Sequence, residues 1–380
     1  MILFLLIYFT FYGSMHAYAF FKARAALPFG RNAAVLTVIF MSFMIFAPII
    51  IRALEYSGYE TAALCVAYTG YIWMGALSIF VLISIILGVY RLIAFAAGNF
   101  IRKDTSAFIP SSFSAFVIPV FLAVILTEYS VYEALTIKTE YLTINSEKIP
   151  SSAGRLRIVQ ISDVHLGLMA GKHKLENIIK SVKAANPDIL VSTGDLIDGQ
   201  IDNIEGNIKL LNQINPRFGK FAVTGNHEVY AGLGLSIKLT ESAGFRMLRN
   251  EAFDIGGSVI ITGFDDRGHS QSKTSDVQLE KDILSKLPQT KFIIVLKHKP
   301  EFAKEMPGLF DLQLSGHLHG GQIFPFIPLV RIVYPYISGL HKLSNGSLLY
   351  ISRGTGLWGP PMRALAPPEI TVIDLVPGKK

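Results

Sequence analysis

The sequence has very little cysteine and, over long runs, no charged residues at all. Its one cysteine, Cys65, excludes an intramolecular disulfide, so export from the cytoplasm is allowed but not required. After residue 150 no cluster of Lys and Arg has interleaved aromatic residues, which argues against nucleic-acid binding. The formal net charge of +7 is better explained by membrane topology and by attraction to anionic headgroups.

Four runs in the first third of the chain contain no Asp, Glu, Lys or Arg. They are residues 1–21, 32–51, 61–90 and 106–127. Each run reaches the roughly 20 apolar residues needed to cross a bilayer core, so the sequence predicts a membrane domain over 1–130 with four transmembrane helices. The first run lacks a basic segment before it and a small-residue cleavage site, so we interpret it as a retained helix rather than a signal peptide.

Basic residues between these runs predict the topology. Three follow the first run and three follow the third, whereas only Arg52, beside Glu55 and Glu60, follows the second. The positive-inside rule places the first and third connections in the cytoplasm. We therefore expect a multi-pass protein of the cell membrane in which everything after residue 128 is extracytoplasmic.

The pattern changes near residue 136, where short apolar runs begin to alternate with helical patterns. A linker and first strand region occupies 131–154, and a soluble catalytic domain is predicted over 155–380. Strands are predicted at 136–144, 155–161, 218–223, 258–263, 291–296, 311–315, 347–352 and 370–375, and from 189 up to Gly194. Helical patterns fall at 172–185, 204–214, 235–243 and 277–287. This alternation indicates an α/β layered domain.

Side chains that suit metal ions recur at the carboxyl ends of these strands, where α/β sheets place their ligands. Asp163 and His165 are two residues apart, as are His317 and His319. In extended backbone such pairs point to the same side, so each pair could face one ion. The other candidates at strand ends are Asp195, Asp198, Asn226, His227 and His298.

Each candidate also has an ordinary explanation when it is considered alone. A single histidine is more often a packed or surface residue, Asp198 could be a helix N-cap, and Asn226-His227 could be a polar turn. Coincidence explains the whole set poorly, because five separate strand ends carry His, Asp or Asn. His173, His269 and His341 have no such setting, and we assign them no role.

Five motifs resemble those of the calcineurin-like metallophosphoesterases and follow the same order along the chain. They are Asp163-x-His165, Gly194-Asp195-x-x-Asp198, Gly225-Asn226-His227-Glu228, His298 and Gly316-His317-x-His319. The resemblance extends over residues 136–376. Later segments at 352–356, 361–363 and 368–370 resemble a branch of membrane-associated bacterial phosphoesterases. Gly199 stands where the protein phosphatases of this superfamily have Arg, which argues against a phosphoprotein phosphatase.

The resemblance implies a four-layer sandwich of two mixed β-sheets flanked by helices, here preceded by four transmembrane helices. It also implies two divalent metal ions that share Asp195. One ion would be held by Asp163, His165, Asp195 and His319, and the other by Asp195, Asn226, His298 and His317. These ligands suit Mn²⁺, Fe or Zn²⁺ better than Ca²⁺ or Mg²⁺. His227 matches the family's catalytic, non-ligand histidine, which stabilises or protonates the leaving oxygen, and Asp198 would orient it.

We therefore expect a membrane-anchored phosphoesterase that cleaves phosphodiester or pyrophosphate bonds through attack by a metal-bridging hydroxide. One alternative is a hydrolase of soluble nucleotides or phosphomonoesters. A second alternative is not an enzyme but a membrane sensor with a ligand-binding, phosphoesterase-like domain. A relic of that kind should have lost a metal ligand, and none is missing.

The segment 322–336 suggests where the phosphate-ester substrate comes from. It is apolar and aromatic, and its prolines at 325, 328 and 335 argue against a regular helix. Either it packs into the core or it forms a surface that enters the bilayer interface, which would favour a lipid-linked substrate. The short link between the fourth apolar run and the first strand would keep the domain near the membrane.

Overall fold

The computed structural model describes residues 2–198, 204–266, 268, 273–301, 308–323, 327–344 and 346–378. The chain divides into two compact units. The first comprises Met1–Tyr132 with Gly359–Met362, and the second comprises Glu133–Trp358 with Arg363–Lys380. Gly199, His269 and Pro325, which are named above, lie outside the described residues.

The first unit is built from long apolar helices. They are α1 (Ile2–Ala26), α2 (Arg31–Tyr56), α3 (Glu60–Ile101) and α4 (Ser114–Ala134), the last ending just inside the second unit. Within the described residues, α2, α3 and α4 are long and apolar enough to cross a membrane by length and composition. The first three predicted runs lie within α1, α2 and α3 over their described residues, and the fourth is α-helical from Ser114 onwards.

The second unit contains two six-stranded mixed sheets. The first sheet has the order β1 (Lys138–Ser146), β12 (Glu369–Pro377), β2 (Leu156–Ile161), β3 (Ile189–Ser192), β4 (Lys220–Ala222) and β5 (Arg246–Met247). The second has the order β10 (Gly339–Lys342), β11 (Leu348–Ile351), β9 (Leu312–Ser315), β8 (Phe292–Lys297), β7 (Val259–Phe264) and β6 (Glu251–Asp254). The antiparallel pairs are β12 with β2 in the first sheet, and β6 with β7 and β10 with β11 at the two edges of the second.

Three buried apolar clusters define four layers in the second unit. The helices α5 (Lys172–Ala185), α6 (Glu205–Ile208) and α7 (Asn226–Ser242) pack on the outer face of the first sheet. A central cluster from strands of both sheets fills the space between them. The helices α8 (Lys273–Leu284) and α9 (Ile327–Val333) contribute to the cluster on the outer face of the second sheet. The fold is the four-layer sandwich that the sequence predicted.

Strand direction determines where the functional side chains collect. β2, β3 and β4 run parallel to one another, and so do β8, β9 and β11. The carboxyl ends of parallel strands meet at one edge of a sheet, so loops that follow these strands lie together. Every predicted metal ligand belongs to one of these loops or to the helix start that follows one.

Helix α9 corrects the prediction that prolines exclude a regular helix from 322–336. Pro328 is the second residue of α9 and lies in its first turn, where a missing N–H breaks no helical hydrogen bond. Pro335 follows the end of the helix, where proline is also tolerated. The sequence analysis also missed β5, β6 and β10, which are only two to four residues long.

Candidate metal centre

Five of the predicted metal ligands lie on backbone in the left-handed region. The φ angle is 51° at Asp163, 50° at His165, 49° at Asp195, 72° at His317 and 49° at His319. For residues other than glycine this conformation costs about 1–3 kcal/mol each, so the surrounding structure must impose it. Asp163 and His165 lie in one ligand group, whereas His317 and His319 lie in different groups, so the expectation that each pair faces one ion is wrong for the second pair. The expected extended backbone is wrong for both pairs, because all four residues lie in left-handed turns.

The first group of potential ligands contains Asp163, His165 and His319, all buried. Nε2 of His319 lies 3.2 Å from Nε2 of His165 and 3.5 Å from Oδ1 of Asp163. Ligand bonds of about 2.0–2.2 Å in a tetrahedral site place ligand atoms about 3.3–3.6 Å apart. The spacing in this group is therefore close to that of a metal site.

The second group contains Asp195, His298 and His317. Nε2 of His298 lies 3.1 Å from Oδ2 of Asp195 and 3.1 Å from Nδ1 of His317. On its other side, Nδ1 of His298 donates a hydrogen bond to the carbonyl oxygen of Thr193 over 2.9 Å. That bond leaves the lone pair of Nε2 directed into the group, as a metal ligand requires.

Asp195 faces both groups. Its Oδ2 atom lies 3.1 Å from Nε2 of His298 in the second group and 3.9 Å from Nε2 of His165 in the first. Its Oδ1 atom accepts a hydrogen bond from the backbone N–H of His227 over 2.8 Å. A carboxylate held in this way can offer oxygen to two cations at once.

Glu228 supports Asp195 from behind, a role that the sequence analysis missed. Its carboxylate is buried and accepts hydrogen bonds from the backbone N–H groups of Asp195 (3.0 Å), Gly225 (2.7 Å) and Ile197 (3.0 Å). Burial and the charge of Asp195 raise the pKa of Glu228, and the N–H donors oppose that rise. A glutamate three residues after the N-cap of a helix is the signal that could have found it.

His227 lies at the start of α7, beside the first group. Its Nδ1 atom donates a hydrogen bond to Oδ1 of Asp198 over 2.8 Å, and its ring makes an edge contact with that of His165 at 4.6 Å between centroids. Burial alone would lower the pKa of His227, but the hydrogen bond to Asp198 and the nearby carboxylate charges raise it overall. The potential ligand atoms of three residues, His165, Asp195 and His227, also lie within 4.8 Å of one another. His227 is therefore close enough to be a metal ligand as well as a proton donor, and a variant of His227 distinguishes the two roles.

Two adjacent imidazoles in the second group have opposite pKa shifts. Burial lowers the pKa of His298, but the charge and hydrogen bond of Asp195 outweigh burial and raise it to about 10. Burial and the charge of His298 lower the pKa of His317 to about 4. Protons therefore cannot occupy all of these rings at once, and a bound cation would replace the proton that the group otherwise holds.

An unpaired amide oxygen shows that the residues present fit a metal ion. Oδ1 of Asn226 is buried and has no hydrogen-bond partner among the described residues, which ordinarily costs about 1–3 kcal/mol. Asn226 lines the same cavity as His298 and His317, so a cation at the second group would satisfy that oxygen. Imidazole, carboxylate and amide ligands together suit Mn²⁺, Fe or Zn²⁺.

Two motif glycines allow the backbone to approach the carboxylates. A Cβ atom at Gly225 would collide with the side chain of Asp195, and one at Gly316 would collide with the side chain of Asp163. Both glycines are therefore needed to keep the ligand loops close together, which explains why they accompany the ligands in the sequence.

Two exposed aromatic residues flank His227, and the sequence analysis missed both. The ring centroids of Tyr230 and Trp358 lie 5.6 Å and 6.0 Å from that of His227. Their exposed fractions are 56% and 51%, which is high for large aromatic side chains beside a buried polar centre. They give the rim of the centre an apolar surface.

Residues 156–321 match the family model described as calcineurin-like phosphoesterase. The chain is 37% identical over 257 residues to an uncharacterised metallophosphoesterase of Aquifex aeolicus, covering 67% of this chain and 98% of that protein. It is 33% identical over 294 residues to a transmembrane protein with metallophosphoesterase domain from Danio rerio, and the match covers 72% of this chain and 65% of that protein. Among solved structures, a dimetal phosphatase from Danio rerio gives a TM-score of 0.37 at 12% identity, covering 52% of this chain and 87% of that one.

The matched family segment begins at the first residue of β2 and ends after His319, so it contains every member of both ligand groups. Calcineurin-like phosphoesterases use two divalent metal ions, and the two groups supply candidate ligands for both. The apolar helices and the transmembrane relative agree with membrane association. The chain therefore belongs to the calcineurin-like metallophosphoesterases and is a metal-dependent hydrolase of phosphoric esters.

Proposed function

We propose that this protein is a membrane-anchored dimetal phosphodiesterase whose substrate is a lipid-linked phosphodiester. The observation that carries the proposal is the position of Asp195, whose Oδ2 atom lies 3.1 Å from His298 and 3.9 Å from His165. One carboxylate between two sets of imidazoles is the arrangement that two neighbouring cations need.

The two metal sites are assigned as follows. Asp163, His165, Asp195 and His319 would hold one ion, and Asp195, Asn226, His298 and His317 would hold the other. When bound, two such ions polarise the phosphoryl oxygens and supply a hydroxide nucleophile at neutral pH. Because Asp195 faces both groups, its carboxylate would be the ligand that the two ions share.

His227 would deliver a proton to the leaving oxygen from Nε2. Its other nitrogen, Nδ1, is held by Asp198, so the ring is fixed in orientation and Nε2 remains available to the substrate. Asp198 raises the pKa of His227, which keeps the ring protonated closer to neutral pH. Asp195 contributes as well, because its Oδ1 atom holds the backbone N–H of His227.

A cavity of about 730 Å³ beside the second group supports a phosphodiester over a phosphomonoester. A phosphomonoester has no second substituent to fill such a space. Two lysines line the cavity, but Lys297 pairs with Glu280 at 2.6 Å and Lys299 pairs with Asp266 at 3.1 Å. Neither is free to bind a second phosphate, which favours a phosphodiester over a pyrophosphate. Tyr334 lines the same cavity and offers a ring face to an uncharged substituent.

The outer face of α9 supports a lipid source for the substrate. Ile327 and Val330 pack against the core, whereas Leu329 and Ile332 are exposed to 57% and 81%. Tyr334, just after the helix, reaches the second ligand group, with its ring centroid 6.5 Å from that of His317. An exposed apolar helix face next to the centre suits contact with the acyl region of a bilayer surface. The chain between α4 and β1 is only residues 135–137, so the link to the apolar helices is short.

The test compares the double variant Leu329→Ser/Ile332→Ser with the wild type, each reconstituted at full length into vesicles. Hydrolysis of a lipid phosphodiester in the vesicles should fall at least several-fold, and hydrolysis of soluble bis(p-nitrophenyl) phosphate should be unchanged. Tyr141→Ser removes a similarly exposed apolar side chain from β1 and serves as the matched control, with both activities retained. Equal loss of both activities in the α9 variant would reject the lipid source. Wild-type preference for nucleotides or phosphomonoesters would favour the soluble-substrate alternative.

A further inference from the structure

Arg363 is the bulkiest of the fully buried side chains in the described part of the chain. Among the described residues no carboxylate forms an ion pair with it, and burial lowers its pKa to about 10. Removing a charge from water costs several kcal/mol unless hydrogen bonds replace its hydration. A residue that carries such a cost is expected to have a specific task.

The guanidinium holds His319 at two points. Nη1 donates a hydrogen bond to the carbonyl oxygen of His319 over 2.7 Å, and Nη2 donates to Nδ1 of the same residue over 2.8 Å. Because a guanidinium can only donate, Nδ1 is the acceptor, so Nε2 carries the proton of the neutral ring and faces His165 and Asp163. A cation bound at the first group would replace that proton, which is released on binding. The planar fork of arginine suits this two-point contact, which the single ammonium of lysine cannot reproduce.

The same side chain also connects His319 to Asp163. Nη2 donates to the carbonyl oxygen of Gly356 over 2.7 Å, and the N–H of Gly356 donates to the carbonyl oxygen of Asp163 over 3.0 Å. His319 and Asp163 both have left-handed backbone, with φ of 49° and 51°, which needs support from outside the loop. Arg363 provides that support to two members of the first ligand group.

We propose that Arg363 is a positioning residue that preforms the first metal group by fixing the ring and backbone of His319. The proposal rests on the proposed function only in treating the first group as a metal site, and it concerns metal binding rather than turnover. It gives a role to the segment 361–363, which the motif resemblance singled out without a function.

The test is metal binding by the purified full-length protein, measured by titration of the metal-free form with Mn²⁺ or Zn²⁺. Arg363→Met should bind one ion as the wild type does and the other about 10–100-fold more weakly, the usual effect of removing a group that orients a metal ligand. Arg363→Lys keeps the buried charge and should recover only part of this loss. If the Met variant does not fold, the Lys variant still reports the selective weakening.

The affected site is identified with His317→Ala, which removes a ligand of the second group. That variant should bind one ion, and His317→Ala combined with Arg363→Met should bind it about 10–100-fold more weakly. Arg353→Met is the matched control. Arg353 is also a partly buried arginine near this loop, but its side chain pairs with Glu369 at 2.7 Å and donates to the carbonyl oxygen of Pro367. Its hydrogen bonds and ion pairs among the described residues do not include His319, so both ions should remain.

Two results would overturn the proposal. Unchanged affinity for both ions in Arg363→Met would show that His319 needs no such support. Equal weakening of both ions, together with a lower melting temperature of the metal-free protein, would assign Arg363 a general structural role. A wild-type protein that binds two ions but hydrolyses no phosphodiester would reject the proposed function and leave this test of Arg363 valid.

Discussion

Nδ1 of His227 donates a hydrogen bond to Oδ1 of Asp198 over 2.8 Å. This bond leaves Nε2 as the ring nitrogen that is available to a substrate, and it stabilises the protonated imidazole. The carboxylate charges around His227 raise its pKa although burial acts in the opposite direction. A histidine that donates a proton to a leaving group benefits from both effects.

Replacing Asp198 with Asn should lower the pKa of His227 and shift the pH–activity profile. A general acid must be protonated to act, so activity is lost as the pH rises through its pKa. The high-pH limb of kcat/KM should therefore move to lower pH in Asp198→Asn, and turnover should fall by up to about 10²-fold. Metal content is the control and should remain at the wild-type value. A high-pH limb at its wild-type position would contradict the pairing.

Lys174 should destabilise the protein at low pH. Its Nζ atom is buried without a hydrogen-bond partner among the described residues, and burial with the charge of Arg363 lowers its pKa from 10.5 to about 7. Below pH 7 the ammonium is charged in the folded and unfolded states, so the full burial cost is present. Between pH 7 and 10.5 only the unfolded chain stays protonated, so that cost disappears as the pH rises.

Lys174→Met should consequently raise the melting temperature at pH 6, and the gain should shrink as the pH approaches 10. Thermal unfolding of the full-length protein in detergent at several pH values measures this. Lys172→Met is the matched control on the same helix, because the Lys172 side chain is exposed and should give no pH-dependent gain. A pH-independent gain for Lys174→Met would indicate an apolar packing effect alone.

The catalytic unit is proposed to lie outside the cytoplasm, because basic residues cluster after the first and third apolar runs. A reporter that is active only outside the cytoplasm should be active when fused after Lys380 and inactive when fused near Arg102. If the reporter is active only when it is fused near Arg102, the catalytic unit lies in the cytoplasm. Its substrates would then be cytoplasmic molecules and not extracytoplasmic lipid-linked ones.

The α/β architecture could be predicted from the sequence because each buried strand is a short apolar run followed by a polar loop. The strands β2, β3 and β8 are of this kind, and their loops carry Asp163, Asp195 and His298. The strands β5, β6 and β10 were missed because they have two to four residues and partly exposed side chains, so neighbouring strands rather than their own pattern determine them.

The predicted ligands do come together, but the sequence could not show how. The left-handed backbone at His317 and His319 depends on contacts far along the chain, including the hydrogen bonds from Arg363 to His319. Glu228 likewise acts through backbone N–H groups that are distant in sequence. Such supporting residues bind other residues rather than the metal, so Arg363 has no local pattern, and Glu228 has only its position three residues after a helix N-cap.

The central claim is that two metal ions share Asp195 while His227 remains a proton donor and not a ligand. Asp195→Asn should reduce bound metal well below two ions per chain and abolish phosphodiester hydrolysis. The geometry requires this test of His227 because His165, Asp195 and His227 lie within 4.8 Å of one another.

Metal content and turnover of His227→Ala, measured on the same preparation, test this claim most directly. We expect two ions per chain, as in the wild type, with turnover of a phosphodiester reduced by about 10²–10⁴-fold, the usual contribution of a general acid. Loss of one or both ions in His227→Ala would contradict it and would make His227 a metal ligand.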